Sequence, residues 1–134
     1  YSWVDPGIVS YLTGELEPGD QIGHRVEGYV HTRITDLLQH IPLKTQISYF
    51  KPFTVNPSSD QVRYLPGELD FIVSLGRRHI PVEVKASESR SRLDASLLAS
   101  WIREYKAPYG LMLYAGLPYY SEETKVLYWP YWAL

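Results

Sequence analysis

With 134 residues, 45% of them hydrophobic, the chain can enclose one compact core and little more. It has no cysteine, which excludes disulfide scaffolds, thiolate zinc sites and cysteine nucleophiles. A formal net charge of -2 argues against a strong non-specific nucleic-acid binder, so any such contact must use a local patch or another domain.

Asp5-Pro6-Gly7 is a turn, after which Ile8, Val9, Tyr11 and Leu12 suit a short helix. Glu17-Pro18-Gly19-Asp20 breaks the chain again, with Asp20 placed to cap a second helix. From there Ile22, Val26, Val30, Ile34 and Leu37-Leu38 recur at helical spacing, and Pro42 stops the helix near His40. Glu27 sits at the edge of this apolar stripe. Gln46 to Phe50 alternates as a strand. Lys51 to Pro66 carries three prolines and Asn56-Pro57-Ser58-Ser59-Asp60, the pattern of an exposed loop, with Val62-Arg63-Tyr64 able to extend a neighbouring strand. Two strands come next, around Gly67 to Val73 and Ile80 to Lys85. Leu93, Leu97, Leu98, Trp101 and Ile102 then mark a helix that ends before Pro108. Tyr109 to Ala115 and Lys125 to Trp129 read as the last strands. The order is helix, three strands, helix, strand, strand, an α/β (α+β) sandwich around a mixed central sheet.

The two middle strands carry the chemistry. Side chains alternate across a strand, so Leu69, Phe71, Val73 and Leu75 should share an apolar face, and Glu68 and Asp70 the other. On the next strand Val82 and Val84 share one face, Glu83 and Lys85 the other. Gly76-Arg77 suits a two-residue type II′ hairpin, which sets Leu75 opposite Arg78 and Asp70 opposite Glu83; a four-residue loop instead sets Asp70 opposite Lys85 on the same face, and only an odd loop would separate them. Two facing carboxylates repel, and a bound cation removes the conflict. Magnesium takes one or two carboxylates with waters and phosphate oxygens, and can activate water. Lys85 could orient the nucleophile or stabilise transition-state charge. The same spacing also describes an amphipathic hairpin whose charged side is merely solvated, and a glutamate such as Glu27 on a helix is usually solvated too.

Glu27 on the first long helix, Asp70 in Glu-Leu-Asp-Phe-Ile-Val and Glu83-Val84-Lys85 in Ile-Pro-Val-Glu-Val-Lys-Ala-Ser together resemble the PD-(D/E)XK nuclease superfamily. That resemblance implies a restriction-endonuclease-like αβββαβ core and magnesium- or manganese-dependent hydrolysis of DNA. Asp70 and Glu83 would be metal ligands, Glu27 an auxiliary ligand and Lys85 the catalytic lysine. More narrowly, Tyr1-Ser2-Trp3-Val4-Asp5-Pro6-Gly7-Ile8, the Glu27 helix, Gly67 to Ser87 and Leu127-Tyr128-Trp129-Pro130-Tyr131-Trp132 look like the C-terminal nuclease-like domain of archaeal and bacterial AAA-type P-loop ATPases. Residues 1–134 would then be one such domain. No G-x-x-x-x-G-K-S/T segment occurs here, so ATP would bind only an upstream portion of the same protein. A catalytically silent interaction, regulatory or nucleic-acid-binding module of such an ATPase is the alternative, and an oligomer stays open. Two departures stand out. The Lys51 to Pro66 connection is longer than this domain usually shows, and Gly67-Glu68 stands where the motif has Pro-Asp.

The 9 glycines and 10 prolines are scattered, no repeat occurs and no apolar run could span a bilayer. No signal peptide is visible and the one methionine is Met112, so a fragment of a longer, soluble, cytoplasmic protein without a membrane partner is expected. Arg77, Arg78, Arg90 and Arg92 suit either a phosphate-contacting rim or plain solubility. His24, His31 and His40 lack a zinc pattern and read as surface residues. Ser87 could contact substrate or cap a helix. Tyr119-Tyr120, Tyr128-Trp129 and Tyr131-Trp132 could stack on bases, or pack in the core and at a domain interface.

Overall fold

The computed structural model describes Leu12, Gly14 and residues 22–50, 67–89 and 92–134, the last without the side chains of 92–94. The expected Asp5-Pro6-Gly7 turn, the Asp20 cap, the Lys51 to Pro66 connection, Arg90 and the side chain of Arg92 lie outside the described residues. The described elements run α1 (Ile22–Gln39), β1 (Thr45–Phe50), β2 (Leu69–Leu75), β3 (Arg78–Val84), α2 (Arg92–Tyr105), β4 (Gly110–Tyr114), β5 (Tyr119–Ser121) and β6 (Val126–Pro130), then a short 3-10 turn at Tyr131–Ala133. The six strands form one mixed sheet in the order β1-β2-β3-β4-β6-β5. β1, β2 and β3 form an antiparallel meander, β4 lies parallel to β3 and to β6, and β5 returns antiparallel to β6. The class is α+β, and no described helix is long and apolar enough to cross a membrane.

Two apolar clusters cover the two faces of the sheet. On one face Val30, Ile34 and Leu38 of α1 meet Phe71, Val73, Val82, Val84 and Leu113. On the other, Leu98, Trp101 and Ile102 of α2 meet Met112, Tyr114, Val126 and Tyr128. Met112 and Leu113 are neighbours in sequence yet serve opposite clusters, as a strand buried on both sides requires. The α1 stripe is that read from the sequence, but Ile22 and Leu37 lie outward, 55% and 47% exposed. Its last turn tightens, with the His40 and Ile41 N–H groups donating to the carbonyls of Leu37 and Leu38, and Pro42 blocks continuation. Gly110 lets α2 sit close on β4: a Cβ there would lie 3.1 Å from Ile102 Cδ1.

Pro81 lies fully buried in β3, a central strand, where a missing N–H normally breaks a ladder. Lys85 donates its N–H to Leu113 O on β4 at 2.8 Å, and by alternation the nitrogens of Glu83 and Pro81 face β4 as well. The β3–β4 ladder starts only at Val82↔Leu111, so the missing donor falls beyond its end.

β5 was not expected from the sequence. It is three residues long, its two tyrosines are exposed, and its pairing with β6 rather than its pattern defines it.

Candidate functional site

The β2–β3 hairpin forms as its turn residues dictate. Gly76 adopts φ 61 while Arg77 stays at negative φ, and Leu75 pairs with Arg78. Pairing continues through Ser74↔His79, Val73↔Ile80 and Ile72↔Pro81 to Phe71↔Val82. The regular pairing ends there, one step short of Asp70 and Glu83.

At that step the sheet changes character. On the β1 side Ser48 pairs with Ile72 but Phe50 pairs with Leu69, so Tyr49 alone faces both Asp70 and Phe71. This is a β-bulge, which inserts a residue and rephases the strand. The expectation that Leu69 shares a face with Phe71 and Val73 is therefore corrected. Leu69 packs in the α2 cluster, while Phe71 and Val73 pack in the α1 cluster. The bulge also lets the Asp70 side chain enter the ladder: its Oδ2 accepts the Val84 N–H at 2.7 Å. A side-chain oxygen thus stands where β2 would otherwise offer a carbonyl.

Glu83 lies next in line, 5% exposed, and its Oε1 is 2.8 Å from Lys85 Nζ. Val82 and Val84 belong to the α1 cluster, so alternation turns Glu83 toward the opposite face. A buried carboxylate at an ion-pair distance from a lysine two residues on is not a solvated hairpin face. The Lys85 side chain is about a third exposed, reaching from this pair to the surface.

Asp70 holds its proton more tightly than an ordinary aspartate. Burial is the largest cause, and the negative charges of Glu27 and Glu68 add to it. The Val84 N–H bond and the Lys85 ammonium oppose the rise without cancelling it. Asp70, Glu83 and Lys85 are therefore gathered around one peptide, that of Val84, and Lys85 acts on both acids. Glu27 is near enough to act on Asp70, but the partner in its own reach is His24, 3.5 Å away on α1. Among the described residues no group of three or more His, Cys, Asp or Glu side chains is close enough to hold a metal.

The donor chemistry suits a divalent ion at Asp70: this half-buried carboxylate stands in the negative field of Glu27 and Glu68, and a cation beside it would offset that field. Two carboxylates suffice for magnesium when waters and phosphate oxygens complete its shell.

One feature of the site is not legible in the sequence: the Val84 N–H, a backbone group with no side-chain signal. His31, expected at the surface, is half-buried. Its ring stacks on Tyr49 with an interplanar angle of 5° and tilts against Phe71 at 5.6 Å. Its spacing of four residues from Glu27 and from Thr35 on one helix face was the available signal. Comparisons with protein-family models, curated proteins and solved structures give no match to this chain.

Proposed function

We propose that this chain is a PD-(D/E)XK nuclease-like domain that hydrolyses phosphodiester bonds in DNA, joined to an upstream P-loop ATPase of the AAA type. The single observation that carries the reading is the buried Glu83–Lys85 pair, with the Asp70 carboxylate joined to it through the Val84 peptide. Element order supports it as well: α1, the β1–β3 meander, α2 and β4 follow the αβββαβ order of a restriction-endonuclease-like core.

In this reading Asp70 and Glu83 hold magnesium or manganese, and Glu27 tunes Asp70 from α1. The ion, when bound, polarises a phosphoryl oxygen and lowers the pKa of its water. Lys85, reaching solvent from a buried carboxylate, is placed to orient the attacking water and to offset charge on the phosphate. The Val84 N–H fixes the Asp70 carboxylate, so the acid is oriented before any ligand arrives.

A second reading has its own observation. Each acid already has a protein partner, Val84 N–H for Asp70 and Lys85 for Glu83, as a catalytically silent regulatory or nucleic-acid-binding module could retain. Incubation of the chain with supercoiled, linear and branched DNA, with Mg²⁺ or Mn²⁺ and with EDTA, separates the two. The nuclease reading expects metal-dependent cutting that falls by about 10²-fold or more in Lys85→Ala and in Asp70→Ala. Metal binding without cutting supports the silent module, and neither binding nor cutting contradicts the nuclease.

A further inference from the structure

We propose that the cavity between the C-terminal end of α2 and the β5–β6 connection is a site for a small phosphorylated molecule, held by its phosphate monoester group. The proposal makes no use of Asp70, Glu83 or Lys85 and stands whether or not they hold a metal.

The cavity is about 490 Å³, within the range of small-molecule sites. Its lining brings Arg103 and Lys106 at the end of α2 together with Glu123, Thr124 and Lys125 of the connection. The two walls are joined at the start of β4, where the Gly110 N–H donates to Lys125 O at 3.0 Å. Among the described residues neither lysine has a carboxylate within ion-pair distance. Arg103 gives one N–H to Ser100 Oγ at 3.2 Å, which leaves the other donors of its fork. The helix dipole accounts for cations at the end of α2, but Lys125 belongs to a different element.

Backbone strain marks the same two lysines. Among the described residues, Lys106 at φ 53 and Lys125 at φ 56 are the two non-glycine positions in the left-handed region. Lys106 closes α2: the Ala107 N–H donates back to Ile102 O at 3.1 Å, the bond of a helix end whose turning residue is usually glycine. Lys125 makes the last turn before β6. Glycine would remove the strain at both. Two residues that keep a costly conformation together with a cationic side chain, both on one cavity, point to a use for that side chain. Thr124 adds a second anomaly. Its Oγ1 is buried with no hydrogen-bond partner among the described residues. Such a hydroxyl is rare, and an oxyanion in the cavity would offer it an acceptor.

Charge selects the group. Three cations against one carboxylate leave an excess of about two positive charges, and a phosphate monoester is close to doubly negative at pH 7. A carboxylate carries half of that. The guanidinium fork and two ammonium groups can also serve several oxygens of one tetrahedral group. The cavity lies at the starts of β4 and β6, whereas Lys85 follows the end of β3, parallel to β4, and donates its N–H to Leu113 O near the end of β4. The two sites therefore occupy opposite ends of the sheet.

The test is a proton–nitrogen NMR titration of the whole chain with inorganic phosphate, at pH 7 and constant ionic strength, without divalent metal. The amides of Lys106, Thr124 and Lys125 should shift saturably, and acetate should leave them nearly unmoved. Lys125→Gly should weaken phosphate binding about fivefold or more, yet melt no lower than the wild type, because glycine relaxes the strained turn. Lys106→Gly should weaken binding likewise. Lysines kept only for solubility or for the helix dipole would leave the affinity unaltered, and that result overturns the proposal. A shift that grows linearly with phosphate overturns it too. So does acetate binding as tightly as phosphate, which a surface for the acidic side chains of a protein partner would give. A hydroxyl-ended oligothymidine that engages the same amides more tightly than phosphate would replace the small-molecule site with a nucleic-acid backbone contact.

Discussion

The two ends of the β2–β3 hairpin are built on opposite principles. From Phe71 to Leu75 the strand pairs residue for residue with β3, and its buried positions Phe71 and Val73 pack against α1. From Asp70 back, the bulge breaks alternation, a carboxylate replaces a backbone acceptor, and on the facing strand the charged Glu83 is buried. The first end satisfies every level at once: pattern, turn and packing. The second gives up regular pairing and accepts buried charge. Local departures of this kind are costly and persist where surrounding structure holds them, which is why the bulged end is the place to look for chemistry.

That contrast can be broken or sharpened by mutation. The largest effect should come from the regular end. Phe71→Ala removes a buried ring that His31 and Tyr49 pack against, and should cost about 3–5 kcal/mol in urea unfolding. A cost under about 1 kcal/mol would show that this end is not the packing anchor. At the bulged end Glu83→Ala leaves the Lys85 ammonium without the carboxylate beside it. Because Lys85 reaches solvent, the loss should be about 2 kcal/mol, below the roughly 3–5 kcal/mol of a fully buried pair. A double-mutant cycle with Lys85→Ala would isolate the coupling. At the tip Gly76→Ala meets no steric neighbour but must adopt φ 61, so it should cost about 1 kcal/mol through backbone strain alone.

The smallest change has the opposite sign. Burial and the charges of Glu27 and Glu68 raise the Asp70 carboxyl above its unfolded value, so the folded chain binds this proton more tightly than the unfolded one. Stability from this group is present below the ordinary aspartate range and is lost as pH rises through the raised value; at neutral pH the ionised carboxylate is a net cost. Asp70→Asn keeps an acceptor for the Val84 N–H and removes the charge. It should therefore melt a few degrees above the wild type at pH 7, and the gap should close as pH falls through that window. A gap that widens on acidification would contradict the assignment.

Much of this was legible in the chain, and the remainder was hidden for physical reasons. The α1 stripe at Val26, Val30, Ile34 and Leu38 and the α2 pattern around Leu98, Trp101 and Ile102 follow from periodicity, because each helix buries one face. Of the two even loops that Gly76-Arg77 allows, the structure takes the two-residue one, with Leu75 opposite Arg78. The bulge could not be read, since Glu-Leu-Asp-Phe contains no glycine or other marker and the extra residue is imposed by pairing with β1. Leu69 accordingly packs on the face opposite to the one that strict alternation predicts. β5 was missed because a three-residue edge strand with exposed tyrosines has too little pattern to register. Of the site, Glu83 beside Lys85 was readable from their spacing of two, whereas the Asp70 bond to Val84 N–H existed only once the fold had brought the strands together.

The central claim is that the bulged end of the hairpin is a divalent-cation site, and thermal unfolding tests it most directly. Wild type and Asp70→Asn are melted at pH 7 with Mg²⁺ and with EDTA. The account predicts that Asp70→Asn is the more stable protein in EDTA and that Mg²⁺ raises the melting temperature of the wild type alone. A wild type indifferent to Mg²⁺, or the same rise in both proteins, would contradict it.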